Sequence, residues 1–338
     1  MTMKNESLVV IKNSVLLLIP LFILNACSHQ ELSLDISKPD YFILDNEGLK
    51  LTSKQLENKL LSADVIYLGE IHDNPDHHVT QLDIIQKLLD SGKKPVIGFE
   101  FFSREQSSWL LNFTTASKHS FRPLKAGKAG ELLRHRLGWN DREDWNYYFP
   151  FLELAKKNEL QVFGADLDKG IRIRMARTGI EQMLGIEKVS LPAKVGEDQQ
   201  EYKQLIFEEL RSGHCNMASD DLVKKLYKTI TLRNAYMAES INSMINDADE
   251  KQPIVIILGR GHVNYDSGVK SQLAFINPEL SQLNIGIYEN RNTKDRNFTN
   301  ELVKPVKGFI RHNLYALTRD RKKEAVDHCA AFKKHSKK

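Results

Sequence analysis

Four short apolar runs punctuate this chain, and each stops at an ionisable side chain. Asp64-Val65-Ile66-Tyr67 leads into Leu68-Gly69-Glu70-Ile71-His72-Asp73-Asn74, and the run Pro253 to Leu258 leads into Gly259-Arg260-Gly261-His262. Pro95 to Phe99 meets Glu100, and Leu160 to Ala165 meets Asp166. Runs of this length bounded by turn residues predict strands buried on both faces. Ligands of parallel α/β sheets bind just beyond the carboxyl ends of such strands. The pattern therefore predicts one polar crevice that gathers Glu70, His72, Glu100, Asp166 and His262. Acids at these points could instead cap following helices, but four strand ends alike favour the crevice.

Between the runs the period changes to that of helices. Asn74-Pro75-Asp76 reads as a helix start, with Val79, Leu82, Ile85, Leu88 and Leu89 in register on one face. His77 and His78 fall in its first turn, where solvent exposure is as good a reading as function. Ser103 to Phe113 reads helical, as does the arginine-rich stretch Ile171 to Ile180. Residues 197 to 247 form a long polar helical insertion interrupted at Gly213-His214-Cys215, and a further strand, Asn284 to Tyr288, carries Gly286 as a mark of close packing. Strands alternating with helices predict an α/β fold: a three-layer, mainly parallel sheet with helices on both faces and a helical insertion.

Aromatic residues concentrate at Trp139, Trp145, Tyr147, Tyr148, Phe149 and Phe151. Such a cluster serves either as a core staple beneath the insertion or as the wall of an apolar ligand pocket. Neither G-x-G-x-x-G after the first strand nor a Walker lysine occurs, which argues against nucleotide binding.

The ends add a compartment. Lys4 and Lys12 precede the apolar stretch Val15 to Leu24, too short for a bilayer span but suited to a signal peptide. Leu24-Asn25-Ala26-Cys27 has the form of a lipobox, which makes Cys27 the lipidation site, and Ser28 after it points to the outer membrane. The expected organisation is a signal peptide over 1–26, a lipidated linker over 27–40, an α/β domain over 41–300 and a basic tail over 301–338. Removing Lys4, Lys12 and Glu6 takes the formal charge from +4 to +3, and Lys and Arg crowd the last twenty residues. Such a tail could touch anionic lipid; nucleic acid is not an expected partner in this compartment. Cys215 and Cys329 remain, and spacing alone leaves their pairing open.

Together, Leu68 to Asn74, Gly98-Phe99-Glu100, His214-Cys215, Arg233-Asn234-Ala235-Tyr236-Met237-Ala238 and Gly259 to Val263 with Gly268-Val269 resemble the ChaN-like haem-binding uptake lipoproteins. These share a superfamily with Tiki/TraB-type proteins and erythromycin-esterase-like hydrolases. The resemblance spans roughly residues 40 to 290. It implies an outer-membrane lipoprotein that binds haem for iron uptake, can pair with a second copy around haem and works beside an outer-membrane haem receptor. The chain departs from the pattern at Asp166, where Asn is expected, and at Lys270, where Pro is common. Asp166 should make the crevice more anionic. For haem, Tyr147 or Tyr148 could ligate iron as a phenolate, and His72, His262, Arg172 or Arg174 could hold propionates. The alternative is a hydrolase using Glu70, His72, Glu100 and His262, either as a Glu/His general-base pair or around a divalent metal. A vestigial scaffold is the third class.

Overall fold

The computed structural model describes residues 39–115, 126–246, 252–293, 297–321 and Cys329. The expected signal peptide, Cys27 and most of the expected linker lie outside the described residues, as do residues 322–328 and 330–338 of the expected tail.

Seven strands form a single sheet: β1 Tyr41–Asp45, β2 Val65–Glu70, β3 Val96–Ser103, β4 Val162–Asp166, β5 Ile254–Gly259, β6 Gln282–Glu289 and β7 Leu314–Thr318. Their order is β1-β7-β6-β2-β5-β3-β4, with every pairing parallel except β1 with β7. The helices are α1 Ser53–Leu61, α2 Pro75–Asp90, α3 Ser107–Thr115, α4 Ala126–Arg136, α5 Trp145–Asn158, α6 Lys169–Thr178, α7 Gly185–Lys188, α8 Gln200–Gly213, α9 Asp220–Asn246, α10 Val269–Ile276 and α11 Phe298–Val303. Among the described residues no helix is long and apolar enough to cross a membrane.

Alternation along the central strands divides the core. Ile66 and Leu68 point to one face and pack with Leu82, Ile85 and Leu88 of α2 and with the aromatic residues of α5. Val65 and Tyr67 point to the other and meet Met237, Ala238 and Ile241 of α9 and Leu273 of α10. Strands apolar on both faces are thus sandwiched between two helical layers, as a three-layer fold requires.

The start of α2 shows how local sequence aims the site. Asn74 accepts a hydrogen bond from the Asp76 N–H at 3.0 Å, and Pro75 occupies the first turn, where its missing donor costs nothing. This turn lies over the end of β2, so His77 and His78 are fully buried. Of the readings left open for them, solvent exposure is excluded: the helix enters the sheet with its first turn inward.

Three further differences concern length and extent. Strand β3 runs past Glu100 to Ser103 through a register shift against β4, so Glu100 lies within the strand. The chain beyond residue 300 is not all tail, because α11 and the buried strand β7 belong to the body of the fold. Arg319 and Arg321 then pair with Asp76 at the start of α2. Cys215, in the turn after α8, forms a disulfide with Cys329, which settles the pairing that spacing left open.

Candidate functional site

Four adjacent strands, β2, β5, β3 and β4, bring their carboxyl-end polar residues together. Glu70 ends β2 with its carboxylate fully enclosed. Its Oε1 accepts hydrogen bonds from the Tyr148 hydroxyl at 2.7 Å and from His72 Nδ1 at 3.0 Å. Its Oε2 lies 2.9 Å from His78 Nδ1, close but not aligned for a hydrogen bond, so this contact is an ion pair. His78 Nε2 meanwhile donates to the His72 carbonyl at 3.0 Å. With acceptors facing both ring nitrogens, His78 is held as an imidazolium.

The charges follow from these contacts. Burial works against the charge on Glu70, but His78, His72 and Tyr148 together push its carboxyl down to about 2. Burial likewise opposes charge on His78, yet Glu70 holds it above the ordinary histidine value. His72, half-exposed, is opposed by burial and raised by its bond to Glu70 and by the charges of Glu100, Glu70 and Asp144. His77 goes the other way: its Nδ1 accepts the Ile71 N–H, and burial with Arg260 nearby pushes it down to about 3.

A second assembly surrounds Glu100. Its Oε2 accepts the Gly259 N–H at 2.6 Å, and its Oε1 lies 2.6 Å from Arg233 Nη2 and 3.0 Å from His262 Nε2. His262 Nδ1 faces Asn234 Oδ1 at 2.6 Å. Arg233 also binds Asp166 Oδ2 through Nε at 2.9 Å and Nη2 at 2.6 Å, and Arg172 reaches the same oxygen at 3.0 Å. Burial opposes the charge on Glu100, but His262, Arg233 and His72 hold its carboxyl well below the usual range. Asp166 therefore does not leave the crevice anionic: two arginines neutralise it.

Two glycines let the strand ends interlock. A Cβ on Gly259 would lie 2.9 Å from His72 Cε1 and 3.3 Å from Glu100 Oε2. A Cβ on Gly69 would lie 3.1 Å from Arg260 Cα. Each motif's glycine makes room for a residue of the other motif.

The predicted residues are thus brought together unequally. Glu70, His72, Glu100 and His262 share the crevice, and Arg172 joins through Asp166. Tyr148 is buried on Glu70, which with burial raises its phenol far above the ordinary value. Tyr147, one residue earlier, is partly buried, stacks on His78 with ring centroids 5.0 Å apart and makes no hydrogen bond through its hydroxyl among the described residues. Arg174 turns away to pair with Glu187. Sequence reasoning missed Arg233 and Asn234 as site residues and left His78 undecided. The available signal was the buried acids themselves, which need cations, and the Arg233-Asn234 pair lay within a quoted motif.

Beside the Glu100 assembly opens a cavity of about 440 Å³. It is lined by Ile173, Ala176, Leu226, Thr229 and Ile230 and by four cations, of which Arg142 pairs with Asp144 and Arg172 and Arg233 pair with Asp166. No three His, Cys, Asp or Glu side chains among the described residues converge to hold a metal ion. The chemistry on offer is recognition of an apolar body bearing acidic groups. As a base, Glu70 is weak, because its proton affinity is already spent on its cationic neighbours.

Fold and crevice define a three-layer α/β protein with a cluster of buried ionisable residues at the carboxyl ends of its central strands. The chain belongs to the family of haem-binding uptake proteins of the Tiki superfamily, ChaN, whose model matches residues 56–273. Among solved structures it is similar to ChaN of Campylobacter jejuni, described with cofacial haem binding, at TM-score 0.59 and 16% identity, covering 83% of this chain and 98% of that one. It is also similar to a mutant of the erythromycin esterase EreC in its open conformation, at TM-score 0.47 and 14% identity, covering 84% and 99%. No curated protein matches by sequence.

Proposed function

We propose that this protein is a lipoprotein, anchored through Cys27 to the outer membrane, that binds haem as cargo for iron uptake. The observation that carries the reading is the cavity of about 440 Å³, whose mixed apolar and basic lining suits a flat apolar ring system bearing carboxylates. Membership of a haem-binding uptake family supports it. Arg172 and Arg233 hold the Asp166 carboxylate and Arg142 holds Asp144, so a propionate would share these cations with their present partners, while Lys169 pairs with no carboxylate among the described residues. Tyr147 supplies the iron ligand in this reading. Its hydroxyl is uncommitted among the described residues, whereas releasing Tyr148 would strip Glu70 of a buried hydrogen bond. A single phenolate suits a carrier that must give its cargo up. His72 and His262 stand in the adjoining cluster as further propionate partners. A second copy would cover the open face of the haem, and an outer-membrane haem receptor would supply it.

The test is a titration of the purified protein with haemin, following the Soret band. Wild-type protein and Tyr148→Phe should give a saturable shift, and Tyr147→Phe should lose most of it. Absence of a saturable shift in the wild type would sink the reading. For the anchor, Cys27→Ala should release the protein from the membrane fraction.

A further inference from the structure

Arg260, inside the second strand-end motif, takes no part in the carboxylate and histidine cluster. Its stem passes over Gly69, its guanidinium stacks 3.9 Å above the Tyr288 ring and its Nη1 donates to the Ile287 carbonyl at 2.6 Å. No carboxylate among the described residues pairs with it. Glu289, on the same wall, is engaged by Asn74 at 2.8 Å and by Arg291 at 3.0 Å. Arg311 repeats the situation: its Nη1 donates only to the carbonyls of Leu302 and Lys304, each at 3.1 Å.

Both arginines line a cavity of about 390 Å³ at the carboxyl end of β6, together with Ile71, Tyr288, Arg291, Phe298 and Leu302 and with the carboxylates Glu289 and Glu301. Neighbouring histidines register the positive excess. Burial and Arg260 hold His77 down to about 3, and burial with Arg260, Arg311 and Lys270 holds His312 well below its ordinary value. Guanidinium groups held by neutral carbonyls and tyrosine rings, partly withdrawn from water, favour an anion more than exposed arginines do.

We propose that this cavity is a second ligand site, distinct from the haem crevice, that takes a small organic acid: its carboxylate on Arg260 and Arg311, its apolar part against Phe298 and Leu302. Bidentate guanidinium geometry suits a carboxylate, and the apolar side chains at the same mouth give the remainder of the molecule somewhere to lie.

The experiment titrates the full chain with hexanoate in a calorimeter and follows the methyl resonances of Ile71 and Leu302. Hexanol serves as the uncharged control and inorganic phosphate as an anion with no apolar part. Hexanoate should bind saturably, one per chain, shifting Ile71 and Leu302 but not Ile173 or Ile230. Arg260→Gln and Arg311→Gln should each weaken it by about tenfold or more. Arg311→Gln carries the test if Arg260→Gln does not fold. Absence of saturable binding, equal binding of hexanol, or unchanged affinity in the arginine variants would overturn the site. Phosphate binding as tightly as hexanoate would overturn the assignment of Phe298 and Leu302.

Discussion

Glu70 and Glu100 sit on strands separated only by β5, are both buried and both remain ionised, yet they keep different company. Around Glu70 the positive charge comes from His78 and His72, delivered by α2 and the turn before it. Around Glu100 it comes from His262 and from Arg233 of α9 on the same oxygen, and Arg233 binds Asp166 as well. Histidines give up their charge within the accessible pH range, whereas a guanidinium does not. The Glu70 half of the crevice is therefore held by histidines alone, whereas the Glu100 half also has a guanidinium that keeps its charge.

This contrast breaks most visibly at Arg233. Its replacement by Met leaves Glu100 and Asp166 buried without their shared cation, so the expected loss is about 3–5 kcal/mol in denaturant unfolding. A loss below about 1 kcal/mol would mean that Arg172 and His262 suffice alone. Next comes Tyr148→Phe, which removes one hydrogen bond to a buried carboxylate and should cost about 1.5–3 kcal/mol. Tyr147→Phe, which removes no hydrogen bond, should stay within about 0.5 kcal/mol. Equal losses would erase the division between a structural and a free phenol.

The contrast also predicts a pH dependence whose sign differs for the two partners of one ion pair. Glu70 is depressed from 4.5 to about 2, so its contribution is present above pH 4.5 and is lost as pH falls through that window. His78 is raised above 6.5, so its contribution is fully present below 6.5 and is lost as pH rises through its folded value. Unfolding midpoints should thus decline on both sides of an optimum between about 4.5 and 6.5. In His78→Gln the alkaline decline should shrink, leaving what half-exposed His72 contributes. An unchanged alkaline limb in that variant would refute the imidazolium assignment.

The strand ends were legible because their signal is local. A buried apolar run closing on Gly-Glu, on Glu100 or on Asp166 reports its position in a parallel sheet without outside help. Partners that arrive from afar left no such mark. Arg233 lies 133 residues beyond Glu100 in sequence, on a helix whose pattern reads as polar insertion. His77 and His78 were undecided because periodicity treats a polar residue as outward, while capping geometry turned this first turn inward. Tyr147 and Tyr148 are adjacent on a helix and therefore point about 100° apart, and composition cannot say which is buried. Strand β7 was hidden inside a stretch read by its charge, although Leu314 to Leu317 is an apolar run like the others.

The exchanged glycines have one more effect. In the pairing of β2 with β5, Gly69 stands opposite Leu258 and Glu70 opposite Gly259. A slip of one residue would send every side chain of one strand to the opposite face. It would also carry His72 off the gap at Gly259 and Arg260 off the gap at Gly69. The two strands act as key and lock for each other: the alignment that closes the sheet also sets the cluster, so a correctly paired centre cannot form with its polar floor misassembled.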